Sequence, residues 1–288
     1  MDRFTRKQQK IYQRAAEVIA DYPLLWSRMI ADWCQPGPED RAWLMYSANY
    51  LFRTANVRWA VDPLRLSHRL PDAPEMPMGD LKDLDFILLT HQHSDHLDLN
   101  LLRGLQDYPI LWVIPVPLLP LVQAEVDITA DRLIVPGLTR TIEIRGICIT
   151  PFNGLHWEQQ SEAETLRGVP AMGYLVEFCG KRWLFPGDTR TFDASRLPSF
   201  GSIDGLFAHV WLGRGNAMMK EPPLLREFYK FCTDLMPKRV ILTHLEEFGR
   251  DANDYWDRRH AQKVKTLFSV EKSNIPVSVA LIGDQITL

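Results

Sequence analysis

The apolar run Phe86-Ile87-Leu88-Leu89 opens directly into Thr90-His91-Gln92-His93-Ser94-Asp95-His96, which places three histidines and an aspartate within six residues. Few folds accommodate such a segment. Preceded by the polar pair Lys82-Asp83, the run reads as a short buried strand whose carboxyl end delivers the polar cluster to a sheet edge. Ligands of α/β proteins gather at such strand ends. Two residues apart in extended chain, His91 and His93 face one side and can share an ion. Asp95 and His96 fall where the chain turns into a helix beginning near Leu97, so they point elsewhere and can serve a neighbouring ion. Two metals are implied. Isolated histidines such as His68 and His260 carry no such implication and are expected in solvent or satisfied in the core.

The stretch from Thr90 to His96 resembles the H-x-H-x-D-H signature of the metallo-β-lactamase fold superfamily. That resemblance implies an α/β four-layer αββα sandwich, a pair of β-sheets between helices, with three further ligands at the ends of later strands. The first is His156, behind the strand Ile147-Cys148-Ile149-Thr150-Pro151. Asp188 follows, in the turn Pro186-Gly187-Asp188-Thr189, where the family's aspartate bridges two metals and the glycine lets the backbone approach closely. His244 is the last, because Arg239-Val240-Ile241-Leu242-Thr243-His244 repeats the pattern of apolar strand and Thr-His seen at Phe86 to His91. The implied ligand sets are His91, His93 and His156 for one ion and Asp95, His96 and His244 for the other, with Asp188 between them. Thr90 and Thr243, each just ahead of a ligand, are expected to support the site from behind. Asp62 has two readings: an acid that orients a ligand histidine, or a turn-starting aspartate before Pro63.

A hydroxide shared by two ions ~3.5–4 Å apart needs no side-chain nucleophile, because the ions lower the water pKa toward ~7. Two divalent ions, two carboxylates and one hydroxide leave one positive charge to stabilise an oxyanion or phosphorane. Asp95 is also expected to orient the hydroxide or take its proton. Imidazole and carboxylate donors favour zinc, with manganese or iron as alternatives. The expected activity is hydrolysis of a lactone, ester or phosphodiester bond. A mononuclear iron dioxygenase of the same fold and a non-catalytic metal-binding member are the competing readings, although flavodiiron relatives usually carry Glu where this chain has His93.

The 288 residues, 46% of them hydrophobic, suffice for a full core. A helical extension over 1–40 is expected to pack on a metallo-β-lactamase-like domain over 41–288. Net charge of −3 gives no footprint for duplex nucleic acid, so a small-molecule substrate is the expected partner, with a homo-oligomer left open. Cys34, Cys148, Cys179 and Cys232 form no C-x-x-C pair and suggest neither a zinc ribbon nor a disulfide framework. Without an apolar leader or a membrane-length apolar run, a cytoplasmic location is expected.

Apolar positions from Phe4 to Tyr22 recur at helical spacing and predict an amphipathic helix before Pro23. Trp43 to Phe52 and Val57 to Val61 predict a two-stranded hairpin turning at Thr54-Ala55-Asn56, and the proline-rich stretch from Arg65 to Gly79 predicts a loop near the site. Glu158 to Gly168 predicts a polar flap.

Substrate contacts are expected between Asp188 and His244, where the chain most resembles the ascorbate-6-phosphate lactonase-like and N-acyl-phosphatidylethanolamine phospholipase D-like group. His209 is a candidate general acid or a structural histidine. Arg190, Arg214 and Lys220 are candidates to receive a phosphate or carboxylate, and Trp157 and Trp211 to wall the pocket.

Overall fold

The computed structural model describes residues 1–158 and 167–288, which divide into two compact units. The predicted flap falls largely on residues outside this description. One unit comprises residues 11–137 and 281–288; the other comprises 1–10 and 138–280.

In the first unit a seven-stranded sheet has the order β14-β1-β2-β3-β4-β5-β6. Its strands are β1 (Arg41–Leu44), β2 (Tyr50–Thr54), β3 (Val57–Val61), β4 (Phe86–Leu88), β5 (Leu111–Val113), β6 (Leu133–Ile134) and β14 (Gln285–Thr287). The predicted strand from Trp43 to Phe52 is in fact two. Met45 N–H bonds to the Asn49 carbonyl at 2.8 Å and folds the run back, so that β1 and β2 pair antiparallel. The β2–β3 turn falls where expected, with positive φ at Ala55 and Asn56, the backbone that suits a tight hairpin. Beyond β3 the pairing becomes parallel, and Val61 and Leu88 stand in register. The ends of β3 and β4 are therefore neighbours, which brings Asp62 beside Thr90.

This sheet's core is built on Trp59, whose ring stacks on Phe52 at 3.9 Å and on Phe86 at 5.4 Å. Each such pair contributes ~0.5–1.5 kcal/mol beyond the area it buries. Helix α1 (Arg3–Cys34) runs through Pro23 rather than stopping before it. Contacts on both sides of the proline hold it: Tyr22 Oη donates to the Met45 carbonyl, Trp26 Nε1 to Asp80, and Trp33 Nε1 to the Phe52 carbonyl. Ile11, Val18, Tyr22, Trp26, Met29 and Trp33 form its buried stripe, so packing overrides the local penalty of a helical proline. The proline-rich stretch is not wholly loop, since α2 (Leu66–Arg69) lies within it. After β4 come α3 (Leu99–Leu105), capped by Asp98, and α4 (Leu119–Gln123).

The second unit repeats the scheme with a sheet of order β13-β12-β11-β10-β9-β8-β7. Its strands are β7 (Ile142–Ile144), β8 (Ile147–Asn153), β9 (Met172–Phe178), β10 (Lys181–Phe185), β11 (Gly205–His209), β12 (Val240–Thr243) and β13 (Val277–Val279). β7 to β10 pair antiparallel, whereas β10 to β13 pair parallel. It follows that β8, β10, β11 and β12 all run the same way, and their carboxyl ends lie along one edge. Phe185 and Phe207 stack at 4.6 Å in this sheet. Helices α5 (Leu225–Asp234) and α6 (Arg258–Val270) complete the unit, the latter with a capping box formed by Asp257 and His260. The first turns of α1 belong here too: Lys7 Nζ donates to the carbonyls of Ala217, Ala252 and Tyr255 at 3.0, 2.7 and 3.1 Å.

Among the described residues, no helix is long and apolar enough to cross a membrane.

Candidate metal centre

The segment after β4 leaves the sheet as irregular chain and turn before α3, and its side chains close on one another. The rings of His91 and His96 lie 4.1 Å apart, those of His91 and His93 4.9 Å. His91, Asp95 and His96 are buried, and His93 is half-buried. Asp62 has a left-handed backbone, with φ of +46°, ahead of Pro63, and its side chain bonds back to the motif. One carboxylate oxygen accepts the Thr90 N–H at 2.8 Å, while the other takes the Thr90 hydroxyl and stands 2.8 Å from His96 Nδ1. Thr90 Oγ1, having donated to Asp62, lies 3.0 Å from His91 Nδ1 and can accept its proton. Both histidines are thereby held by Nδ1, which makes Nε2 the nitrogen that could ligate an ion. Burial pushes the Asp62 carboxyl up, and its bonds with His96 and Thr90 pull the other way. Ligand atoms of Asp62, His91 and His96 all fall within 4.8 Å of one another.

Asn49 was not singled out from the sequence, yet its Nδ2 donates to the carbonyls of Asp62 at 2.7 Å and of Asp95 at 2.9 Å. It ties the acid behind the motif to the motif itself. The available signal was a lone amide in an apolar run.

In the second unit the aligned strand ends assemble the other four groups: His156 beyond β8, Asp188 beyond β10, His209 closing β11 and His244 beyond β12. Asp188 is fully buried at their centre. Its Oδ2 lies 3.7 Å from His156 Nε2, and its Oδ1 lies 3.4 Å from His244 Nε2. In the first unit, Asp95 Oδ2 stands 3.5 Å from His96 Nε2. These separations are long for hydrogen bonds. Two donors each ~2.0–2.1 Å from one tetrahedral ion stand ~3.4 Å apart, so groups at this spacing could hold a metal between them. His156 fits least simply, because the Val169 N–H faces its Nδ1 at 3.2 Å, where a ligand histidine normally donates.

His209 Nδ1 lies 2.9 Å from Asp188 Oδ1, and its ring stacks on His244 at 5.4 Å. The Thr243 carbonyl accepts the Val210 N–H at 2.9 Å and locks the β11 and β12 ends together. Gly187 has φ of +69°, and a Cβ there would meet only ordinary van der Waals contact. The glycine of the Gly-Asp turn is thus required by its left-handed backbone rather than by close approach.

Of the expected substrate contacts, Arg190, Trp211 and Arg214 line one cleft. Arg190 is buried, bonded through Nη2 to Asp188 at 2.8 Å, with its guanidinium 4.6 Å over the ring of Trp211. Arg214 is engaged by Glu158, at 3.0 Å through Nε. Trp157 is 39% exposed and Lys220 is also exposed. His260 is a satisfied core histidine, its Nε2 2.9 Å from the Ala217 carbonyl, and His68 is half-buried beside Asp98.

Comparison with known families decides the lineage. Residues 60–245 match the model of the beta-lactamase superfamily domain, well over half of the chain. The chain belongs to the beta-lactamase superfamily. The match runs from β3 to the residue after His244 and includes every proposed ligand. No curated protein matches the chain by sequence. Among solved structures, it is similar to a possible metal-dependent hydrolase from Veillonella parvula, with 16% identity, TM-score 0.60, and 87% of this chain and 100% of that one covered. It is similar also to Igni18, a metallo hydrolase from the archaeon Ignicoccus hospitalis, with 17% identity, TM-score 0.58, and 86% and 98% covered. CmlA, a diiron β-hydroxylase from Streptomyces venezuelae, shares 18% identity at TM-score 0.57, with 88% of this chain and 55% of that one covered. At these identities the likeness is one of fold: the metallo-β-lactamase fold, here with the N-terminal helix α1. The superfamily and the His/Asp cluster together make this chain a metal-dependent enzyme.

Proposed function

We propose that the chain is a two-metal hydrolase acting on a small, anionic molecule. His91, His93 and His156 would hold one ion, Asp95, His96 and His244 the second, and Asp188 both. The observation that carries this reading is the position of Asp188, whose two oxygens face different histidines, one from each set, at ligand-sharing distance. A carboxylate serving one ion would not need both. When bound, the ions supply a water of lowered pKa and Lewis-acid stabilisation of developing negative charge. The chain's own residues do the rest: Asp62 and Thr90 fix the ring orientations of His91 and His96, and His209 holds Asp188 Oδ1. Asp95, buried in the same cluster, would orient the attacking water or take its proton. Histidine and carboxylate donors suit zinc best.

The bond broken is a lactone, an ester or a phosphodiester. Elemental analysis of protein purified without added metal, paired with hydrolysis of a lactone and a bis-aryl phosphodiester before and after chelation, tests the proposal. About two zinc or manganese per chain with chelator-sensitive turnover supports it. One iron with oxygen consumption would move the chain to oxygenase chemistry. His93→Ala and Asp188→Ala should each lose metal and turnover together, and full metal occupancy in both would overturn the ligand assignment.

A further inference from the structure

Beside Asp188, within the second unit, lies a cleft of about 390 Å³ lined by Arg190, Thr191, Trp211, Arg214 and Asn216 among others. That volume is at the small end of ligand sites, ~300–1,000 Å³. Arg190 sets its character. The side chain is 7% exposed, Nη2 is committed to Asp188, and the guanidinium plane rests over the indole of Trp211. Nη1 is buried and makes no hydrogen bond among the described residues. A guanidinium nitrogen buried without an acceptor is costly, and a rigid fork with one tine bonded and one unsatisfied calls for an acceptor atom.

The remaining charges decide which acceptor. The cleft carries three carboxylates, Glu158, Asp193 and Glu227, against two guanidinium groups. Glu158 is bridged by Arg214, and Asp193 is occupied by Ser195, whose N–H and hydroxyl it accepts at 3.1 and 2.6 Å. Neither claims Arg190. Formally the lining is negative by one charge, which disfavours a dianionic phosphate and tolerates a monoanion held by one open donor.

We propose that this cleft is a carboxylate subsite: Arg190 Nη1 receives a carboxylate oxygen of the substrate while Nη2 stays on Asp188. The substrate class is thereby narrowed to small molecules bearing a carboxylate on the part that is anchored, not cleaved. The proposal rests on the two-metal reading for the location of the chemistry, and only for that. Because one guanidinium spans both the anchor and Asp188, a bound carboxylate is held in fixed relation to that proposed ligand.

The test is calorimetric titration of the full chain, metal-loaded and metal-free, with benzoate, its neutral counterpart benzamide, and phenyl phosphate. Saturable benzoate binding, about tenfold tighter than benzamide and tighter than phenyl phosphate, is expected in both forms of the parent. Arg190→Gln should abolish the preference for benzoate over benzamide. Arg190→Lys, which offers one charged nitrogen and no fork, should reduce it severalfold, and near-ultraviolet circular dichroism identifies whichever variant retains the fold. Equal binding of benzoate and benzamide, preference for phenyl phosphate, absence of saturable binding, or a preference that survives Arg190→Gln would each overturn the subsite. A preference seen only with metal bound and unchanged in the variants would assign the carboxylate to the ions, and would overturn it too. Metal content and turnover are read separately: an Arg190-dependent preference in a chain that takes no metal would defeat the hydrolase reading and leave the subsite standing.

Discussion

His209 Nδ1 stands 2.9 Å from Oδ1 of Asp188, the oxygen that also faces His244. The contact fixes the carboxylate's rotation and so decides which histidine each oxygen meets. His209→Ala should weaken metal binding by ~10–100-fold, the usual cost of losing a group that orients a ligand. Competition against a chromophoric chelator measures it. Affinity equal to the parent's would mean that Asp188 needs no such support. Should His209 donate a proton in turnover as well, the alkaline limb of the pH–rate profile would change in the variant beyond what restored metal loading recovers.

Behind the first ligand group, Asp62 and Asn49 act on different quantities. Asp62→Asn swaps one acceptor oxygen for a donor opposite His96 and Thr90, and metal affinity should fall by ~10–100-fold. Asn49→Ala strands the carbonyls of Asp62 and Asp95. Unfolding in urea should show a loss of ~1–3 kcal/mol, because buried acceptors then lack a donor. An Asn49→Ala variant of unchanged stability would show that water replaces the amide.

The contrast between these two residues shows what was legible in the sequence. The motif from Thr90 to His96 could be read because its donors are contiguous and its spacing has a strand's period. Asp188 and His244 could be read because each ends an apolar run, and such runs become sheet strands that the fold aligns. Asn49 could not, since its importance lies in two carbonyls 13 and 46 residues away. The same holds for α1: Pro23 is locally a helix stop, and only the distant partners of Tyr22, Trp26 and Trp33 carry the helix past it. The break between β1 and β2 was hidden for a related reason, an apolar turn being indistinguishable from strand by hydropathy. Arg190 was visible as a basic residue, but its burial on Trp211 was not.

Lys7 anchors the start of α1 through three carbonyls, and burial pushes its ammonium down to about 8. Lys7→Met should cost ~1–3 kcal/mol by stranding those acceptors. The sign of the pH effect follows from the depressed value. Between about 8 and the ordinary 10.5 the unfolded chain holds the proton that the folded chain has released. Parent stability therefore gains a rising contribution with pH across that window, and the variant lacks it. Urea midpoints at intervals from pH 7.5 to ~10.5 compare the two directly. Parallel curves would show that the amine keeps its proton on folding.

Asp257 tests the opposite sign at the other end of the scale. It caps α6, accepting the Arg259 N–H at 3.0 Å, with the Arg259 guanidinium at 2.6 Å and His260 Nδ1 at 2.8 Å. Burial by itself would raise the carboxyl, but the hydrogen bonds with His260 and Arg259 outweigh it and hold Asp257 well below the ordinary carboxylate range. A depressed folded value means the stabilisation is complete above the unfolded value of 3.8 and fades as pH falls toward the folded one. Asp257→Asn keeps a cap of similar quality but no charge, since asparagine and aspartate rank together at that position. At neutral pH the variant should be destabilised by loss of the ion pairing. On acidification from pH 5 to ~2, the gap between parent and variant should narrow, because only the parent loses a native carboxylate. Urea unfolding of both proteins across that range reads the gap, and a constant difference would place the effect in cap geometry rather than in charge.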